Sequence, residues 1–256
     1  MQNLLNLSIE VAHIALDKLI ELDKEKRNGY FFDKNISREV KSEADIIIEN
    51  IILEKIRPTG IEILSEEAGI LKASKNNLSS LRFIIDPIDG TVNFVRGITD
   101  CSICIALFDG DKPIFGVIAS YPSRNIAWGG KEIGSFLEGA RLQVSTIQNP
   151  KEGVLCTGFP SRFKFDKQSF STQIKLMADF GKTRMLGAAS QSLLQVAKGN
   201  VECYSEQNIM LWDIAAGIAI VEGAGGKVEI TNSNIFDKSI NVTADNGNIK
   251  NNKPEN

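Results

Sequence analysis

The sequence is nearly without histidine, with one, His13, in 256 residues. That scarcity removes the Ser-His-Asp and Cys-His mechanisms, which need an imidazole base beside the nucleophile. His13 itself lies where Leu4, Leu7, Val11, Ile14 and Leu22 recur at helical spacing, so it reads as a helix residue of no catalytic consequence. Cysteine is sparse too. Cys101 and Cys104 form a CxxC, but within the apolar run CSICIALF and with no second ligand pair. A zinc or redox role is therefore disfavoured. Cys156 and Cys203 also sit in apolar, strand-like runs and read as small core residues. No apolar run reaches the roughly 18 residues of a membrane span. The first residues, MQNLLNLSIE, carry Glu10, with Asp17 close behind, unlike the apolar core of a secretory signal. Excess positive charge is missing as well, since the net charge is −3, so no basic field attracts nucleic acid or an anionic membrane. These absences predict a cytoplasmic protein with no nucleic-acid and no membrane partner. Any acid–base chemistry must come from carboxylates, hydroxyls or a metal ion.

What is present is an ordinary globular composition, 43% hydrophobic and 24% charged, which argues against disorder or a fibrous chain. Two helices open the chain. One covers about residues 3–26, and one runs from Ser42 to Ile56 with Ala44, Ile47, Ile48, Ile51 and Ile52 on its stripe, stopping before Pro58. Strand-like segments follow at 61–65, 82–86, 101–108 and 114–121. The last two are separated by Asp109-Gly110, which predicts an antiparallel sheet with hairpins. Beyond about residue 145 strands and helices alternate: strands at 154–158, 201–205 and 227–230, helices near 166–180, 189–199 and 213–223. A soft boundary near residue 140 gives an N-terminal half over 1–140 and a C-terminal half over 141–245. The polar stretch 246–256 reads as a frayed tail.

The stretch Ile84-Ile85-Asp86-Pro87-Ile88-Asp89-Gly90-Thr91 carries the most chemistry. An apolar strand running straight into two aspartates is unfavourable unless something cationic meets them. Gly90 permits a sharp turn, so Asp86 and Asp89 can point into one space with the Thr91 hydroxyl beside them. If a helix starts there, the Gly90 and Thr91 amides are unpaired first-turn donors suited to a phosphate. An Asx-turn with a helix cap explains the same residues equally well. Other acids tip the balance. Glu66-Glu67 follows a strand directly, and Trp212-Asp213 precedes a helix. Hard cations such as Mg²⁺ take oxygen ligands from one or two carboxylates together with water and substrate phosphate. Glu66, Asp86, Asp89 and Asp213 supply that donor set.

On these segments the chain resembles the inositol monophosphatase family of lithium-sensitive, Mg²⁺-dependent phosphatases. DPIDGTVNF is similar to its first signature and WDIAAGIAIVEGAGG to its second. LSEEAG, KSEAD at 41–45 and the segment Arg184 to Ser190 match in family order. The resemblance implies an α/β (α+β) layered sandwich, with an antiparallel sheet and paired helices in the first half and a mixed sheet with helices in the second. It implies two to three Mg²⁺ ions, with Mn²⁺ able to substitute. Glu66, Asp86 and the Ile88 carbonyl would hold the first ion, and Asp86, Asp89 and Asp213 the second. Glu66 and Thr91 would orient the attacking water, with Asp45 supporting a third ion through solvent. Substrate contacts would come from Asp89, Gly90, Thr91, Gly187, Ala188, Ala189, Glu206 and Asp213. A homodimer acting on a small phosphorylated metabolite is implied on the same basis.

Within the family, hydrolysis of inositol monophosphate or a similar polyol or sugar phosphate is preferred. Fructose-1,6-bisphosphatase, 3′(2′),5′-bisphosphate nucleotidase and histidinol-phosphatase are the rivals. Val92-Asn93-Phe94 and Glu206 favour the inositol branch. Ala188 departs from the hydroxyl residue of many inositol-specific members, which leaves the polyol open. Arg162 and Lys164 read as surface charges that a second substrate phosphate would call into use. From a different class, a non-catalytic metal-binding or regulatory protein could keep the fold, but it would be expected to lose a ligand carboxylate or Thr91, and none is lost.

Overall fold

A computed structural model of the chain describes residues 1–25, 30–32, 40–74, 80–231 and 239–249. Helix α1 (Gln2–Glu25) is followed by a short ribbon of β1 (Tyr30–Phe32) and β2 (Val40–Ser42), then helix α2 (Glu43–Ile56). The strands β3 (Glu62–Ser65), β4 (Gly69–Leu71) and β5 (Leu81–Asp89) come next, then the short helix α3 (Thr91–Arg96). A meander continues through β6 (Cys101–Asp109), β7 (Lys112–Tyr121), β8 (Ile126–Gly130), β9 (Gly134–Leu137) and β10 (Ala140–Arg141). The remaining elements are β11 (Val154–Cys156), α4 (Lys167–Asp179), β12 (Lys182–Arg184), α5 (Ala189–Ala197), β13 (Cys203–Ile209), α6 (Leu211–Gly223), β14 (Lys227–Thr231) and β15 (Ile240–Asp245).

Eight strands form the larger sheet, in the order β10-β9-β8-β7-β6-β5-β3-β4. It is antiparallel apart from the β3–β5 pair, which is parallel. The expected hairpin is present: β6 and β7 meet at Asp109 and Lys112 across a two-residue loop. The smaller sheet, β12-β11-β13-β15-β14, is mixed, since β11 runs parallel to both its neighbours while β13, β15 and β14 are antiparallel.

The stacking follows from the two-residue period of the strands. Phe83, Ile85, Ile103, Ile105 and Leu107 pack with Leu5, Leu16, Leu19, Ile48 and Ile52 of α1 and α2. The alternate residues Ile84, Cys104, Ala106 and Phe108 pack with Leu193, Leu194, Ile214 and Ile218 of α5 and α6. Tyr204, Val242 and Ala244 of the smaller sheet close the same core from the far side. Leu155 and Cys203 face Leu176 and Met177 of α4. The layers are therefore helices, sheet, helices, sheet, helix. A strand covered on both faces has no polar face, which is why CSICIALF is apolar throughout.

Some local readings shift. The inner face of α1 is Leu5, Ser8, Ala12, Ala15 and Leu19, whereas Ile14 is exposed beside the equally exposed His13. On α2 the fully covered positions are Ile48, Ile52 and Ile56, with Ile47 and Ile51 only half-buried. Residues 246–249, expected to start a loose tail, are instead tied down. Asn246 is buried, and its Nδ2 donates to the Ile147 carbonyl at 2.9 Å. Residues 250–256, like residue 26 at the end of the first expected helix, lie outside the described residues.

Candidate active site

Strand β5 delivers the first acids. Ile84 faces the α5/α6 layer, so Asp86, two residues on, faces it too. Asp89, three residues further, would point the other way in a regular strand. It does not, because the pairing with β6 slips: Asp86 sits opposite Cys104 and Asp89 opposite Ser102, so β5 carries one extra residue. This bulge around Pro87 turns Asp89 back to the same side. Gly90 then takes φ 88°, in the left-handed region, and opens α3.

Asp86 is buried. Its Oδ1 accepts a hydrogen bond from the Ile88 amide at 3.0 Å, while Oδ2 has no hydrogen-bond partner. Burial first, then the nearby Glu66, Asp89 and Asp213 charges, push its carboxyl well above the usual range. Glu66, at the end of β3, is raised in the same way, by burial and then by Asp213, Asp45 and Glu67. Asp89 is employed differently. Its Oδ1 accepts from the Ala189 amide at 3.3 Å, and its Oδ2 accepts from the Ser190 amide at 2.6 Å and from the Ser190 hydroxyl. Ala188, the residue preceding α5, has no side chain able to cap it. Asp89 therefore caps that helix from a distant part of the chain. Burial lifts it to about 6 even though those donors pull the other way. Asp213 lies in the first turn of α6, with Oδ2 accepting from the Met210 amide at 3.3 Å.

Thr91 closes the arrangement. Its Oγ1 lies 3.1 Å from Asp45 Oδ1 and 3.0 Å from the Ile88 carbonyl oxygen. With one proton and two acceptors, the hydroxyl keeps a lone pair for a further donor. Asp45 is buried behind it, its Oδ2 accepting from the Ser42 amide at 2.8 Å and the Ser42 hydroxyl at 2.5 Å. Burial raises Asp45 to about 6 against those bonds.

Glu66, Asp86, Ile88, Asp89, Gly90, Thr91, Gly187, Ala188, Ala189, Glu206 and Asp213 all line one cavity of about 210 Å³. Asp45 does not line it and reaches it only through Thr91. Of the basic pair, Arg162 lines the cavity and Lys164 does not. Glu206, in the same lining, is buried and lifted to about 8, by burial first and then by Asp213 and Asp89. The fully buried Tyr204 lies near enough to Glu206 to oppose that rise, yet its hydroxyl makes no hydrogen bond of ordinary geometry. Gly158 packs so tightly on Glu206 that a Cβ there would stand 2.5 Å from Oε1.

The donor set suits a hard divalent cation. Asp86 Oδ2 is an orphaned, buried carboxylate oxygen, and several acids share one cavity at a cost only positive charge relieves. Among the described residues, no three His, Cys, Asp or Glu side chains already close on a common point. Mg²⁺ does not require that, because it takes one or two carboxylates and keeps several waters.

Several residues support the site through contacts that the sequence does not announce. Asn93, on α3, donates through Nδ2 to the Asp100 carbonyl at 2.9 Å and the Leu186 carbonyl at 2.8 Å, tying the two sides of the cavity together. Ser190 and Ser102 hydroxyls lie 2.5 Å apart behind Asp89. Asn93 and Ser190 stand within the motif segments, but nothing local assigns them these partners. The serine contact joins residues 88 positions apart and has no local signature. All four cysteines are buried and unpaired, consistent with core roles.

A family model described as the inositol monophosphatase family matches residues 1–254. A fructose-1,6-bisphosphatase/inositol-1-monophosphatase of Thermococcus kodakarensis is 27% identical, over 93% of this chain and 88% of its own. An inositol-1-monophosphatase of Caulobacter vibrioides is 32% identical, over 72% of this chain and 73% of its own. The crystal structure of the extragenic suppressor protein suhB from Bartonella henselae superposes with a TM-score of 0.84 at 28% identity, covering 95% of this chain and 94% of that one.

Proposed function

The chain belongs to the inositol monophosphatase family and is a phosphoric monoester hydrolase; we propose that its cofactor is Mg²⁺ and its substrate inositol monophosphate or a similar polyol or sugar phosphate. The observation that carries this reading is the gathering of Glu66, Asp86 and Asp213 in one cavity, with a buried Asp86 oxygen left without a partner. Glu66, Asp86 and the Ile88 carbonyl would hold one ion; Asp86, Asp213 and the weakly engaged Asp89 Oδ1 a second. A third would lie near Asp45. The chemistry such cations supply is Lewis-acid polarisation of the phosphoryl oxygens and activation of water.

The protein's own groups do the rest. Thr91 Oγ1 commits its proton to Asp45 or Ile88, so it accepts a hydrogen bond from the attacking water and orients it. Glu66 holds the same water from the β3 side. The Gly90 and Thr91 amides donate to the phosphate oxygens. Opposite them, Glu206 and the Gly187-Ala188-Ala189 backbone contact the hydroxyls of the leaving group. Lithium inhibition and a homodimer follow from the same family reading.

Arg162 favours a second reading. Among the described residues it is the only Lys or Arg lining the cavity, so a substrate with a second phosphate, such as fructose 1,6-bisphosphate, would find a partner there. A phosphate-release screen with Mg²⁺ over inositol 1-phosphate, fructose 1,6-bisphosphate, adenosine 3′,5′-bisphosphate and histidinol phosphate decides between them. The primary reading expects inositol 1-phosphate to lead and Arg162→Ala to leave its kcat/KM within about twofold. A bisphosphate that leads, and loses tenfold or more with Arg162→Ala, would replace it.

A further inference from the structure

Helix α2 carries a second carboxylate that the chemistry above does not use. Glu49 lies one turn beyond Asp45 and therefore on the same face of the helix. Its companions there, Ile48 and Ile52, are fully buried, and Glu49 itself is 5% exposed. A carboxylate within such an apolar stripe is stable only if its hydrogen bonds are made. They are made to one place. Glu49 Oε1 accepts from the Ser65 hydroxyl, from the Glu67 amide at 3.1 Å and from the Ala68 amide at 3.1 Å. These three residues flank Glu66, one before it and two after. The turn between β3 and β4 thus wraps around the Glu49 carboxylate, and Glu66 projects from that turn into the cavity. Two further bonds fix the same turn, from the Glu66 amide to the Ile85 carbonyl at 3.2 Å and from Lys41 to the Glu67 carboxylate at 2.8 Å.

We infer that Glu49 is a positioning residue for Glu66: through the backbone of residues 65–68 it holds the Glu66 carboxylate where a divalent cation and the attacking water require it. With Asp45 set against Thr91, α2 then steadies both acidic loops of the site from behind. This inference rests on the reading of Glu66 as a metal ligand. Glu49 touches neither substrate nor metal. Its charge matters because an anionic acceptor holds amide donors roughly twice as strongly as a neutral one.

The test is Mg²⁺ binding to the metal-stripped full chain, measured by calorimetry without turnover. Glu49→Gln keeps an acceptor of the same shape and removes the charge. It should weaken Mg²⁺ binding about tenfold while leaving the melting temperature in EDTA within a few degrees of wild type. In a Glu66→Gln background the same substitution should have no further effect, because its route runs through Glu66. Ser65→Ala, which removes one donor from the same carboxylate, should act in the same direction but less, and carries the test if Glu49→Gln fails to fold. Unchanged Mg²⁺ affinity in these variants, or an equal loss in both backgrounds, would overturn the inference alone. A wild type that binds no Mg²⁺ would overturn the metal reading together with it.

Discussion

At the scale of single residues, the acids of the cavity divide by what already occupies their oxygens. Asp86 has one oxygen on the Ile88 amide and one with no partner, so in the absence of a cation the repulsion from its acidic neighbours is what the second oxygen contributes. Asp86→Asn should therefore abolish most turnover, by about 100-fold or more given the several kcal/mol a metal contributes to transition-state charge. The same variant should raise the melting temperature in EDTA by roughly 2–4 °C, as expected for about 1 kcal/mol in a chain of this size. Asp213→Asn should show a comparable loss of turnover. Kinetics and thermal melts of the stripped proteins check both, and an Asp86→Asn enzyme with near wild-type turnover would remove Asp86 from the ligand set.

Glu206 belongs to a different task. In the proposed mechanism it contacts the leaving group, so Glu206→Ala should reduce kcat/KM for a polyol phosphate about tenfold more than for an aryl phosphate, the worth of one or two lost hydrogen bonds. Equal losses on the two substrates would remove its leaving-group role. Asp86 and Asp89 were legible in the sequence because they break a local rule, an apolar strand running straight into charge where it should continue, whereas Glu206 was implied only by the family resemblance. Glu49 broke the same rule, four residues beyond Asp45 in an isoleucine-rich stripe. Its meaning was hidden because its partners come from a turn on a separate strand.

At the scale of elements, the site exists because two strand ends, of β3 and β5, and two helix starts meet. The β5 bulge aims Asp86 and Asp89 to one side, α6 brings Asp213 in its first turn, and α5 is capped by Asp89. That cap separates Asp89 from Asp86 experimentally. Asp89→Ala should lower the melting temperature in EDTA by about 1–8 °C, reflecting the roughly 0.5–2 kcal/mol of a lost cap, whereas Asp86→Asn raises it. Thermal melts of the two variants side by side provide the check, and a stabilised Asp89→Ala protein would show that its repulsion outweighs its cap.

The long helices and the apolar strands β5, β6 and β7 could be read from periodicity because their patterns are strong. Strands β8 and β9 could not. IAWGG and GSFL carry glycines that read as turns, and their burial comes from neighbours supplied by the rest of the meander. β12 is a three-residue edge strand, KTR, with no pattern to detect. The bulge was equally invisible, since it is a property of the pairing with β6 and not of β5 alone.

At the scale of the whole molecule, five layers enclose a cluster of acids whose folded-state carboxyls titrate above their ordinary range. Asp45 and Asp89 rise from 3.8 to about 6, and Glu206 rises from 4.5 to about 8. In the metal-free protein the folded state then binds protons more tightly than the unfolded chain. The stability from that uptake is full below the ordinary carboxylate values and is lost as pH rises through 6 and then 8. The melting temperature in EDTA should therefore fall between pH 5 and pH 8, and Mg²⁺ should flatten the decline by replacing protons as the source of positive charge. A melting temperature that climbs over the same interval in EDTA would contradict the raised values.

The most direct measurement is phosphate release from inositol 1-phosphate by protein stripped with EDTA, assayed before and after Mg²⁺ is restored, with Asp86→Asn alongside. The proposed mechanism predicts no release by the stripped enzyme, recovery with Mg²⁺ in the wild type, and no recovery in the variant. Full activity after exhaustive chelation, or equal recovery in Asp86→Asn, would contradict it.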